Sequence, residues 1–363
     1  MRTITAPDLE DIAFGAAVLG TGGGGDPYIG KLLARGAVEA HGPVTLLSLE
    51  ELPDDAHVIT CGAMGAPTIV LEKVPSGEEM LMAMRHYEAM TGKTVTAIMP
   101  FEAGGLNSCL PIVLAAQTGL PLVDADGMGR AFPQLEMETF NVYGVSASPV
   151  AMADEKGNLA LVETDSAAKA EFMARGICIR MGGQANLVNY PMDGRTAKRV
   201  SVPATMSLAQ DIGRVVREAR SAKREPTEAL IEFLGTTHYG FARRIGSGKI
   251  TDIARKVENG WSVGVVSIAP FEEGLPYVIR IQNENLVVEQ GGHVLAVVPD
   301  LICLLDVDTA EPIPTERLRY GQRVDIIGIR VPPIMRTPEA LAVFGPKAFG
   351  LMAAYQPLGI TAA

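Results

Sequence analysis

Two short apolar stretches in the first hundred residues limit the fold more than any other feature. Residues 56–61, AHVITC, and 95–99, VTAIM, carry apolar residues at consecutive positions instead of alternate ones. A strand written that way must be buried on both faces, as in a parallel sheet covered by helices. Between them lies SGEEMLMAMRHYEAMT, residues 76–91, a helical pattern in which Ser76 and Glu79 have the spacing of a capping box. The alternation extends both ways. Residues 7–20, 27–36 and 107–119 read as helices, and 44–47 and 122–123 as short strands. This rhythm predicts an α/β fold, a domain with a mostly parallel sheet.

The pattern then changes. Residues 144–151 and 159–163 read as strands around a turn, and 165–176 as a helix. GICIRMGGQANLV (176–188) reads as strand, glycine turn, strand, while 205–221 and 226–234 are helical. From about 247 onward short strands alternate with turns, at 262–269, 276–282, 285–288, 293–298, 301–306 and 323–330. That spacing predicts a β-rich barrel or sandwich. The expected division is an α/β domain over 1–165, a helical and mixed connecting region over 166–245, a β-rich domain over 246–337, and a helical tail over 338–363 that packs back on the first domain.

Composition removes several function classes. The chain has 363 residues and a net charge of −11, with 5 % aromatic residues. Phosphate-backbone binding needs a positive surface and stacking platforms, so no nucleic-acid role is expected. No apolar run reaches 18 residues, so no membrane span is expected. The N-terminal MRTITAPDLEDIAF carries acids where a secretory signal has an apolar core, and a cytoplasmic location is the expectation. The four cysteines form no CxxC pair, and the five histidines form no HxH or HxxxH pair. A homo-oligomer is expected, as for most soluble enzymes.

Four glycine-rich loops are the candidate site. GTGGGGD places Gly22, Gly23, Gly24 and Gly25 directly before Asp26. Four consecutive glycines are costly to order, so they suit a place where backbone must approach something closely. The run lacks the GK[ST] of a P-loop and follows a helix instead of a strand, so no nucleotide is expected. Its amides suit a carboxylate or a developing anion. The other three loops, CGAMGAP, PFEAGGLNS and DADGMGRAFP, each follow a predicted strand. In an open α/β sheet, such loops line one edge and bind ligands there.

Pooled, these loops supply Glu102, Asn107, Ser108, Cys109, Asp124, Asp126 and Arg130. Asp124 and Asp126 leave a strand as alternate residues. They either hold a divalent metal or act as acid and base, or else one caps a helix while the other pairs with Arg130. Glu102 is either a catalytic base or an anchor for loop amides. Cys109 begins a helix, where the dipole lowers a thiol pKa. It is a nucleophile, a soft metal ligand or a buried helix residue. His238, in GTTHYGFARR, is a ligand-facing group or a turn histidine. Arg243 and Arg244 grip a substrate carboxylate or form a solvated pair.

VLGTGGGGDPYIG (18–30), MGAPTIVLEK (64–73), EAGGLNS (102–108) and PLVDADGMGRAFPQLEM (121–137) resemble the S-methyl-thiohydantoin desulfurase family, and VPDLICLLD (298–306) extends the match. The resemblance implies an α/β N-terminal part, a β-rich C-terminal part, and action on a small cyclic substrate of the thiohydantoin or hydantoin kind. Desulfurisation replaces ring C=S by C=O with water and releases sulfide or a thiol. Such a reaction suits metal assistance by zinc or manganese, with Asp124, Asp126 and Cys109 as the expected ligands. Asp124 or Asp126 activates water, the glycine amides hold the anion, and Arg130, Arg243 or Arg244 binds a carboxylate. The alternatives are a ring-opening hydantoinase-type amidohydrolase and a non-catalytic accessory subunit of a hydantoin pathway.

Overall fold

A computed structural model describes residues 2–65, 69, 73, 75–258 and 261–360. Its first part contains strands β1 (Arg2–Ile4), β2 (Val44–Leu47), β3 (His57–Gly65), β4 (Ala97–Pro100), β5 (Leu122–Val123), β6 (Ala125–Asp126), β7 (Val150–Ala153), β8 (Leu159–Val162), β9 (Gln184–Asp193) and β10 (Val202–Pro203). Helices α1 (Asp8–Leu19), α2 (Pro27–His41), α3 (Glu79–Thr91), α4 (Leu110–Thr118), α5 (Thr139–Val142), α6 (Ala167–Arg180), α7 (Gly194–Val200), α8 (Thr205–Ser221) and α9 (Pro226–Gly235) are interleaved with them.

The doubly buried strands sit where their composition requires. The main sheet runs β1-β2-β5-β4-β3-β9-β7-β8. Its central block, β2, β5, β4 and β3, is parallel, with Val58 opposite Ala97 and Cys61 opposite Pro100. Antiparallel strands extend it at both edges. Helices cover it: α2 packs on α4, and α1 crosses α8. That crossing is close because Gly15 meets the Ala209 backbone and Gly213 meets the Asp11 backbone, where a β-carbon would clash. Arg217 closes it with two bonds to Asp11, at 2.9 and 2.8 Å.

Three expectations are corrected. Residues 177–179 continue α6 instead of forming a strand, because Ala167, Ala170, Ala174 and Cys178 make a buried stripe at helical spacing. The 166–245 segment is not a separate connecting region, since its β9 lies beside β3 in the main sheet. The capping box is half formed. Glu79 accepts the Ser76 amide at 2.7 Å, but Ser76 Oγ accepts from Glu78.

The second domain is one antiparallel sheet of β11 (Ala242–Glu258), β12 (Trp261–Pro270), β13 (Tyr277–Gln282), β14 (Glu284–Gln290), β15 (His293–Val297), β16 (Leu301–Asp306) and β17 (Arg323–Ile329). The order is β15-β14-β13-β12-β11-β17-β16, and the sheet curls into a half-barrel. Alternate residues such as Ile250, Val266, Ile268, Ile279, Val288, Leu304 and Ile326 fill its own core. Helix α10 (Pro338–Phe344) then stacks Phe344 on Phe132 of the first domain, ring centres 4.9 Å apart. Among the described residues no helix is long and apolar enough to cross a membrane.

Candidate active site

The carboxyl ends of the parallel strands carry the cavity. At the end of β3 are Ala63, Met64 and Gly65. After β4 come Phe101, Glu102, Leu106 and Asn107, and after β6 comes Met128. Gly24 and Gly25 line the same space of about 80 Å³. The loops are stitched together by backbone bonds: Phe101 N to Cys61 O at 3.3 Å, Gly127 N to Phe101 O at 3.1 Å, and Leu106 N to Gly24 O at 2.9 Å. The remainder of the CGAMGAP loop, Ala66 and Pro67, lies outside the described residues, as does most of the 64–73 motif.

Glu102 is the carboxyl that the first domain offers to this cavity. It is buried, and Oε1 accepts from Asn107 Nδ2 at 2.5 Å. Asn107 is itself fixed on β3, its Oδ1 accepting from Ala63 N at 2.7 Å. Glu102 Oε2 has no partner. Burial pushes its pKa well above the usual carboxyl range, and neighbouring Glu284 and Asp126 add to the rise.

Glu284, absent from the expected set, is the second carboxyl. It begins β14 in the half-barrel, yet it lines the cavity with neighbouring Asn283. Its Oε2 also has no partner. Burial raises its pKa to about 8, against the pull of Arg130 and of a bond from the Gly24 backbone. In sequence it is one acid in the polar turn QNEN between two apolar strands, and nothing local marks that turn as buried.

The four glycines serve the domain seam as well as the cavity. A β-carbon at Gly22 would strike Thr315 and Asn285, one at Gly23 the Glu284 side chain, and one at Gly24 the Gly104 backbone. Gly22 O accepts from Thr315 N, and Thr21 O accepts from Asn285 N. The Gly23 amide donates to Gly20 O, and the Gly24 backbone bonds Glu284. An anion cradle made of all four amides is therefore not what this loop presents. Asp26 lies outside the cavity, where it caps α2 through Tyr28 N at 3.0 Å and pairs with Arg317.

Several other expected residues have structural work instead. Asp124 accepts from Ser207 N at 2.9 Å and from Ser207 Oγ, holding the start of α8. Asp126 points elsewhere, accepting from Ala103 N at 2.7 Å and Gly129 N at 3.0 Å. It braces the Glu102 loop against its own, and burial raises its pKa to about 7. Cys109 is fully buried, and its thiol pKa rises to about 11, because desolvation outweighs any help at the helix start. An activated thiolate there is corrected to a buried helix-start residue, and Ser108 bonds back to Gly105 O at 2.9 Å. Asp124, Asp126 and Cys109 therefore do not share one ion site. Among the described residues no group of three His, Cys, Asp or Glu is arranged to hold a metal.

The expected carboxylate grips are also corrected. Arg130 is entirely buried and donates to the carbonyls of Ala131 (2.9 Å) and Asp300 (3.0 Å), with longer bonds to Pro299 and Asn285. It clamps the two domains. Arg243 donates to Leu295 O at 3.1 Å, and Arg244 pairs with Glu225 and Glu228 at the start of α9 and with Asp325 of the half-barrel. His238 packs its ring edge-on to Tyr239, away from the cavity, and burial lowers its pKa.

One further buried acid stands behind the cavity. Glu138 has no exposure, neither of its oxygens has a partner, and burial, with Asp126 and Glu102 adding to it, pushes its pKa well above the usual carboxyl range.

Two family models together span nearly the whole chain. The N-terminal domain of the S-Me-THD-like family matches residues 7–164, and its C-terminal domain matches 164–358. The crystal structure of a protein from Chromobacterium violaceum is similar over 99 % of this chain and 100 % of that one, with a TM-score of 0.78 at 23 % identity, and so shares the fold. No curated protein matches the chain.

Proposed function

We propose an activity for this chain, which belongs to the S-Me-THD-like family: it hydrolyses the carbon–sulfur bond of a thiohydantoin-type ring, using Glu102 and Glu284 as acid and base. One observation carries the reading. Two domains each bring a buried carboxyl with an unpartnered oxygen to one small cavity. Unpartnered buried carboxyls are costly, and they are kept where a ligand or a reacting water completes them.

The chemistry balances without a redox partner. With an S-methyl ring, the Glu284 carboxylate takes one proton from water as its oxygen bonds the ring carbon bearing sulfur, and the C=N electron pair moves to the ring nitrogen. The C–S bond then breaks and C=O forms, the remaining hydroxyl proton passing through solvent to that nitrogen to leave ring N–H. Protonated Glu102 gives its proton to the departing sulfur, and methanethiol leaves. The proton on Glu284 then restores Glu102 through solvent. Raised pKa values suit both roles, because an acid must hold its proton near neutrality and a base must be strong enough to take one.

The test is thiol release from an S-methyl-thiohydantoin, followed with a thiol reagent, together with identification of the organic product. Glu102→Gln and Glu284→Gln should each lower turnover about 10²-fold or more. A ring-opened acid as product would favour the hydantoinase reading. Ligand binding without turnover would favour an accessory subunit.

A further inference from the structure

We infer that the ring carries a large apolar substituent, aromatic by preference, which lies on a shelf outside the cavity between α6 and the start of β12, and that Trp261 and Arg175 select it. This rests on the ring chemistry proposed above. The cavity beside Glu102 is small, about 80 Å³. A second depression of about 1160 Å³ shares Gln134 and Arg175 with it, so the two adjoin at that lip. Its floor is apolar, and Phe172 (78 % exposed), Met173 (50 %), Ile179 (59 %) and Leu159 (46 %) face outward there. A cluster of large apolar side chains left in water beside a polar cavity marks a binding surface.

The lip itself is built for a flat group. Trp261, from the second domain, lies against the Arg175 guanidinium of α6, 4.0 Å from ring centre to the guanidinium carbon. Arg175 is held in that plane by Glu171 and by Pro133 O at 3.2 Å. An aromatic substituent leaving the cavity past Gln134 meets a flat, pre-ordered edge on which to stack. A small substituent such as methyl would reach none of it.

Trp261 is the only tryptophan in the chain, so its fluorescence reports this lip directly. The experiment titrates the full-length protein with 5-benzylhydantoin and with 5-methylhydantoin, following emission. The benzyl compound is expected to change the emission and to bind roughly five- to tenfold more tightly than the methyl compound. Trp261→Phe, read by calorimetry, should keep most of that preference, and Trp261→Ala should lose it. Equal affinities for the two compounds, or no emission change on benzyl binding, would overturn the inference. So would a wild-type oligomer that falls apart in Phe172→Glu, since a second copy would then be what covers the shelf. The readout needs no turnover. Benzyl preference in a protein that releases no thiol would sink the hydrolytic reading alone, and turnover without preference would sink this one alone.

Discussion

Glu284 stands directly against Gly23, so close that the carboxyl occupies the space a β-carbon at residue 23 would need. An acid of the second domain is thereby seated in the glycine loop of the first, and the cavity is completed across the seam.

Gly23→Ala is the selective test of that contact. Gly23, unlike Gly22, Gly24 and Gly25, does not have a positive φ, so alanine fits its backbone. The atoms closest to the added methyl belong to the Glu284 side chain, which can swing away. Turnover should fall at least about tenfold, with a stability loss of about 1–3 kcal/mol, measured by kinetics beside urea unfolding. Normal turnover with a normal melting curve would mean that the position of Glu284 is unimportant.

The activity should rise with pH through about 8. Glu284 acts as base only when ionised, and its pKa lies at about 8. A profile of kcat/KM should climb by about tenfold per pH unit below that value and level above it. Glu284→Gln should remove this limb.

Stability should move the opposite way. Buried Glu284 keeps its proton from the ordinary carboxyl pKa of 4.5 up to about 8, while the unfolded chain releases it. The folded state therefore binds more protons in that window, and stability declines as pH rises through it. Glu102, Asp126 and Glu138 act in the same direction. Glu284→Gln should therefore gain stability relative to wild type between pH 5 and pH 8. Melting curves at the two pH values check the sign.

Arg130→Met should destabilise by roughly 3–5 kcal/mol, because it leaves the buried carbonyls of Asp300, Pro299 and Asn285 without their donor. Denaturant unfolding would show it. A loss confined to substrate affinity would instead return Arg130 to the role of carboxylate grip.

Cys109→Ser should leave turnover within about twofold, and the native protein should resist iodoacetamide at this position, since the thiol is buried and its pKa is raised. Rapid alkylation at Cys109 that abolishes activity would overturn this.

The sequence alone determined the α/β rhythm, the β-rich second domain and the glycine loops that end the parallel strands. These are local matters: apolar periodicity, capping residues and glycine placement act within a few positions along the chain. It also marked Glu102 and Asn107, because both lie in a loop that follows a doubly buried strand. Only the tertiary structure decided which charged residues work together. Glu284 is far from Glu102 in the chain and reaches it because the half-barrel docks closely on Gly22 and Gly23. Arg130 reads like any loop arginine until its carbonyl partners arrive from the other domain. Cys109 has the dipole it was expected to exploit, yet burial overrides it. Burial, and with it the protonation state of each carboxyl and thiol, is a property of what packs around a residue, and that is settled by contacts between parts of the chain that carry no local sign of one another.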